Sequence, residues 1–179
     1  MSTNKLKIDS LLPQFKLTGT DGKFYSTEDL ADKNILIVIF SCNHCPYVQA
    51  YESRIIALQN EFQNKSVQIV AINSNDDAKY PEDSFDEMKK RAYEKHFNFP
   101  YLRDESQEIA KAFGASHTPQ IFLFNSERKL KYEGKVDDNW QEPDKVRNQY
   151  LRDAILEVLD GKDVSIPETF SIGCTIKWK

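Results

Sequence analysis

Two cysteines stand two residues apart in the run Cys42-Asn43-His44-Cys45, with a histidine between them. That spacing at the start of a helix brings two sulfurs near enough to bridge on one turn, which points to reversible dithiol-disulfide chemistry. Unpaired amides and the positive end of the helix dipole favour a thiolate at such a place, and thiolate is the nucleophile in disulfide exchange. Cys42, as the exposed first cysteine, is expected to attack a substrate. Cys45, one turn deeper, is expected to resolve the mixed disulfide by closing the internal one. His44 can add positive charge beside the Cys42 thiolate, the alternative being a solvent-facing turn residue. Pro46 gives up an N–H that a first helical turn does not use, and stiffens the entrance.

The remaining polar candidates carry less. Cys174 lies in a C-terminal stretch without clear period, where it is either an extra thiol docked at the pair or an idle cysteine. His96 and His117 lack metal-ligand spacing and are expected to be structural or surface residues. Asp76-Asp77 and Asp137-Asp138 are read as surface carboxylates, and Arg103 as a surface partner of Asp104 or Glu105. A metal-binding or copper-delivery module using Cys42, Cys45 and His44 or Cys174 is a lesser alternative, because one such pair is weak for structural zinc. Neither a metal nor an organic cofactor is expected.

The pair must be held by its flanking elements. Ile35 to Phe40 is an unbroken β-branched and aromatic run, expected as a strand buried on both faces, and Val67 to Asn73 as a second. Between them Val48, Tyr51, Ile55, Leu58 and Phe62 recur at helical spacing, so strand, helix and strand form a crossover unit with the cysteines at its first junction. Gln14 to Ser26 alternates around Asp21-Gly22 and reads as an N-terminal hairpin. Ser84 and Glu87 form a capping box for a helix with Phe85, Met88 and Ala92 inward. Phe99 to Leu102 is a short strand, and Asp104 with Gln107 is expected to cap a helix that stops at Gly114. Ile121 to Phe124 and Lys129 to Tyr132 are strands around a turn. A closing helix is expected from Pro143 to Asp160.

Composition narrows the classes. The 179 residues suit one domain, expected over residues 1–179 with 164–179 as a C-terminal tail. A net charge of -4 gives no basic field for nucleic acid or an anionic membrane, so neither is an expected partner. Met1 to Phe15 hold no apolar core of a signal peptide, and no stretch approaches the roughly 20 apolar residues of a spanning helix, so a cytoplasmic location is expected. With three cysteines the chain is no disulfide scaffold.

Thr118-Pro119, just before a strand, resembles the thioredoxin superfamily. That likeness implies a cis proline against the cysteine pair, with Thr118 presenting backbone groups to a bound substrate chain and Pro119 keeping the sulfurs clear of a misplaced metal ion. The whole chain is similar to peroxiredoxin-like redoxin proteins that carry a Cys-x-x-Cys in place of the peroxidase motif. The likeness rests on Phe40-Ser-Cys-Asn-His-Cys-Pro-Tyr-Val48, Ala71-Ile-Asn-Ser-Asn-Asp76, Phe99-Pro-Tyr-Leu-Arg-Asp104, Tyr132-Glu-Gly134 and Gly173-Cys-Thr-Ile-Lys-Trp178. It implies an α/β thioredoxin-like fold, a central mixed β-sheet flanked by helices. The function it implies is exchange with protein or small-molecule disulfides, supplied with electrons by a thioredoxin or glutathione system. The alternative is an antioxidant thiol peroxidase acting on hydroperoxides. Against that alternative, Val38 and Cys42 stand where true peroxiredoxins have Pro and Thr, and no arginine lies at His117 to Pro119. Leu36 also replaces the buried aspartate that ordinary thioredoxins place six residues before the first cysteine.

Overall fold

The computed structural model describes residues 5–179. Met1 to Asn4, part of the segment read for a signal peptide, lie outside the described residues. No helix among the described residues is long and apolar enough to cross a membrane.

The hairpin forms as β1 (Lys16–Gly19) and β2 (Phe24–Ser26), with Gly22 of the turn at φ +83°. The apolar run becomes β3 (Ile35–Ser41), all seven residues buried. It continues into α1 (Pro46–Phe62) and β4 (Val67–Asn73). Then come α2 (Phe85–Glu94), β5 (Tyr101–Arg103), α3 (Glu108–Phe113), β6 (His117–Thr118), β7 (Gln120–Phe124), β8 (Leu130–Gly134), α4 (Tyr150–Leu159) and β9 (Cys174–Thr175). Seven strands make one mixed sheet in the order β2-β1-β5-β4-β3-β7-β8, and β6 pairs with β9 separately.

β3 sits between parallel β4 and antiparallel β7, which explains why Ile35 to Phe40 are apolar on both faces. Leu36, Val38 and Phe40 enter one core with Phe113 and Phe122, while Ile35, Ile37 and Ile39 enter the other with Tyr51, Ile55 and Ile155. Phe40, Phe113 and Phe122 meet edge to face at centroid distances of 5.2 to 5.8 Å, a geometry worth about 0.5–1.5 kcal/mol per pair beyond area burial. The carboxyl end of β3, and with it the cysteine pair, is thereby fixed from both faces.

Three local expectations differ from the structure. The closing helix does not start at Pro143: that proline opens a single 3-10 turn, Val146 is extended, and α4 begins at Tyr150. The reason is a competing set of bonds, in which the Asp138 carboxylate accepts from Arg147 N and Asn148 Nδ2, both at 2.9 Å. Asp104 is not the residue at the N-cap of α3, which is Gln107; the Asp104 carboxylate instead reaches the Ala110 N–H at 3.0 Å and accepts the Ser74 hydroxyl. The capping box at Ser84 is one-sided: Ser84 Oγ accepts from Glu87 N, but the Glu87 carboxylate turns to Lys90.

Candidate functional site

Cys42 follows the last residue of β3, Cys45 is the N-cap residue of α1, and Pro46 is its first helical residue. Both cysteines are buried, Cys42 at 2% exposure and Cys45 at 0%, so the expectation of an exposed Cys42 is corrected. Thr118 covers them. Its hydroxyl lies 3.5 Å from Cys42 Sγ and its carbonyl oxygen 3.3 Å from Cys45 Sγ, which reaches it as donor when both sulfurs are protonated. The Thr118-Pro119 peptide bond is cis, as the resemblance implies.

The residues between the cysteines differ in role. Asn43 is buried and pinned on every polar group. Its N–H donates to Asp83 Oδ1 at 2.6 Å, its carbonyl accepts from Gln49, and its side chain donates to Glu82 O and accepts the Tyr101 hydroxyl at 2.8 Å. His44 is partly exposed, with Nδ1 2.6 Å from Asp83 Oδ2 and its ring stacked on Tyr80. Asp83, fully buried, also accepts from Asn73 and Asn75 side-chain amides. This carboxylate organises the loop through partners 8 to 40 residues away.

The two sulfurs therefore titrate in unlike surroundings. A hydrogen bond to Cys45, burial and the Asp83 carboxylate push the Cys42 thiol far up, against the Thr118 hydroxyl. The hydrogen bond from Cys42 pulls Cys45 down to about 4 against its burial, helped by the Cys174 thiol and the backbone N–H groups of Val48 and Cys174. The first proton leaves Cys45. The helix amides serve the N-cap residue Cys45, whereas Cys42 faces a carboxylate.

Cys174 is brought to the site. It stands opposite Thr118 in the β6–β9 register, packs against the cysteine pair and is half-buried. Gly173 is required by this docking, because a Cβ there would collide with the Thr118 carbonyl. Leu36 is buried in apolar core and contributes no proton acceptor.

Other sequence candidates fall elsewhere. His96 is an exposed residue at φ +55°, and His117 Nδ1 bonds its neighbour Ser116. Asp76 and Asp137 are buried, not surface groups. Asp137 pairs with Arg54 at 2.8 Å and accepts the Tyr51 hydroxyl, and the Asp76 N–H donates to Lys177 O. Asp77 pairs with Arg103, itself buried rather than on the surface, and Asp138 holds the turn before α4. Among the described residues, the group with metal-ligand geometry is Cys42, His44 and Asp83, whose donor atoms lie within 4.8 Å of one another. The Asp83 oxygens already accept from three amide groups, which suits a carboxylate orienting His44 better than one ligating an ion.

Sequence reasoning missed Asn43, Asn73, Asn75, Asp83 and Tyr101. The available signal was the polar run Asn73-Ser-Asn-Asp76 at the carboxyl end of a buried strand, the end where open α/β sheets carry their sites.

The Redoxin family profile matches residues 7–150. An uncharacterized conserved protein from Geobacillus kaustophilus is 40% identical, with a TM-score of 0.92 over 98% of this chain and 94% of that one. A hypothetical protein from Sinorhizobium meliloti 1021 is 34% identical, with a TM-score of 0.92 over 98% of this chain and 97% of its own. The thioredoxin domain of a thiol-disulfide oxidoreductase from Bacteroides vulgatus is 18% identical, with a TM-score of 0.61 over 70% of this chain and 86% of that one, a likeness of fold. No curated protein matches the chain.

Proposed function

Because this chain belongs to the Redoxin family, we propose that it is a thiol-disulfide oxidoreductase working through Cys42 and Cys45. The observation that carries the reading is the placement of Cys42 and Cys45 together at the β3–α1 junction, with the Thr118 hydroxyl on one sulfur and its carbonyl on the other. Cys42 attacks a protein or small-molecule disulfide as the proton it shares with Cys45 passes to that sulfur, in a loop that Asp83 organises around His44. In the mixed disulfide Cys45 loses its proton, its thiolate still favoured by the backbone N–H groups of Val48 and Cys174, and attacks the Cys42 sulfur. Its attack closes Cys42–Cys45 and releases the substrate thiolate. Thr118, whose backbone is already taken by β9 rather than free for a substrate chain, covers both sulfurs, and Pro119 and Pro46 stiffen the segments on either side of the pair. No organic cofactor enters the cycle.

Electrons come in this reading from a thioredoxin or glutathione system in a cytoplasm, and residues 1–179 act as one domain with 164–179 as its C-terminal part. The Bacteroides relative, described as a thiol-disulfide oxidoreductase, agrees with the exchange reading. One observation favours a second reading: Cys45 is the N-cap residue of α1, where backbone amides favour a thiolate suited to peroxide reduction through a sulfenic acid. The absent peroxidase motif and arginine favour exchange.

The test follows insulin disulfide reduction and hydrogen peroxide consumption in parallel for the wild type and for Cys42→Ser and Cys45→Ser. Disulfide turnover lost in Cys42→Ser, with negligible peroxide consumption, is the expected result. Fast peroxide consumption that depends on Cys45 would overturn it in favour of the peroxidase.

A further inference from the structure

Cys42 and Cys45 share one buried cluster, and Cys174 packs against it. Of the three thiols Cys174 alone is not buried. Its position is built from both directions. On one side Gly173 rests against the Thr118 carbonyl so closely that no side chain fits. On the other, Ile176 is buried and donates to Ser116 O at 2.9 Å, the Lys177 carbonyl accepts from Asp76 N at 2.8 Å and from Gln107 Nε2, and Lys177 N donates to Asn75 Oδ1. Thr118 is common to all three sulfurs: its hydroxyl meets Cys42, its carbonyl meets Cys45, and its backbone pairs with Cys174.

Resting on the dithiol reading above, we propose that Cys174 is a third redox thiol, which takes over the disulfide from Cys42 and presents it at the surface for reduction. Cys174 loses its proton and its sulfur attacks Cys45 Sγ of the Cys42–Cys45 disulfide. The Cys45–Cys174 bond forms and the Cys42–Cys45 bond breaks. The electron pair of the broken bond stays on Cys42 Sγ, which takes up a proton. This step is an isomerisation without net oxidation; the oxidising equivalents came from the substrate disulfide in the preceding exchange. An external thiol reductant then attacks the Cys174 sulfur, which is less buried than Cys42, so that reduction does not occupy the Cys42 entry the substrate uses. The arrangement separates substrate attack at Cys42 from electron uptake at Cys174, with Cys45 as the sulfur both disulfides share.

The full chain is oxidised with excess glutathione disulfide, quenched in acid, alkylated and mapped by peptide mass spectrometry, for the wild type and for Cys42→Ser and Cys174→Ser. The expected wild-type pattern contains both Cys42–Cys45 and Cys45–Cys174, and Cys42→Ser converts to Cys45–Cys174. Cys174→Ser forms Cys42–Cys45, and its re-reduction by glutathione slows by about tenfold or more, as expected when the attacked sulfur becomes less accessible. The relay is overturned if Cys42→Ser yields only glutathione mixed disulfides while the wild type forms Cys42–Cys45 alone, a result that leaves the dithiol reading standing. A wild type that forms no internal disulfide would overturn both. Because the wild type is mapped without substitution, a variant that fails to fold does not shelter the proposal.

Discussion

The two sides of the cysteine pair are built from the same residue type and tuned in opposite directions. On the Cys42 side lies a buried carboxylate, Asp83, fixed by the Asn43 backbone and two asparagine side chains and in contact with His44. On the Cys45 side lie the first amides of α1 and a neighbouring strand carrying Cys174. One side disfavours a thiolate and the other favours it. A Cys-x-x-Cys spacing therefore fixes which sulfurs can bridge, while more distant groups decide which ionises.

Removing either sulfur breaks this contrast most completely. Cys45→Ser is expected to abolish the thiolate absorbance at 240 nm near pH 7, whereas Cys42→Ser retains it, because a serine hydroxyl can still donate to the Cys45 sulfur and the amides around it remain. Stability follows by linkage. A Cys45 pKa lowered to about 4, against roughly 8.5 in an unfolded chain, adds stability that is present above the unfolded value and is lost as pH falls through 4. The raised Cys42 thiol acts oppositely: its contribution is present below the unfolded value and declines as pH rises beyond it. The Tm difference between the wild type and Cys45→Ser is accordingly expected to shrink from pH 7 toward pH 4; a constant difference would contradict the assignment.

A second break comes at Asp83→Asn. An amide cannot accept every bond the carboxylate accepts, and one of its own N–H groups meets other donors, so unfolding experiments should show a loss of about 1–3 kcal/mol. In the same variant the Cys42 thiol should ionise more readily, seen as faster alkylation of Cys42 at fixed alkaline pH. Stability loss with unchanged Cys42 reactivity would mean that Asp83 is only structural.

Gly173→Ala tests the other side. The added Cβ collides with the Thr118 carbonyl, an overpacking cost of about 1–3 kcal/mol, and displacing β9 should speed alkylation of Cys45 by exposing it. Smallest is Ser84→Ala, which removes the cap of α2 at a cost of about 1 kcal/mol by chemical denaturation. It should leave both sulfurs' reactivity as it was.

The positions of the cysteines were legible in the sequence because β3, α1 and β4 announce themselves through local periodicity, and their observed spans agree closely with the apolar runs. The hairpin and the β7–β8 pair were legible for the same reason. The proline at 143 misled because a good helix start was overridden by Asp138, whose bonds to Arg147 and Asn148 form only after folding. The Asp83 network was invisible to local reading, since Asn43, Asn73 and Asn75 meet it only when β3 and β4 lie side by side. Asp76, Asp137 and Arg103 were misplaced as surface charges because burial with a partner has no local signature.

The central claim is that Cys42 and Cys45 form a two-electron dithiol-disulfide centre. Its most direct test equilibrates the wild-type protein across a series of glutathione redox buffers, followed by acid quench, alkylation and intact mass. Two of the three thiols should become unreactive together in one transition, with Cys45 always among them. Thiols lost one at a time as glutathione adducts, or a Cys45 that stays alkylatable throughout, would contradict it.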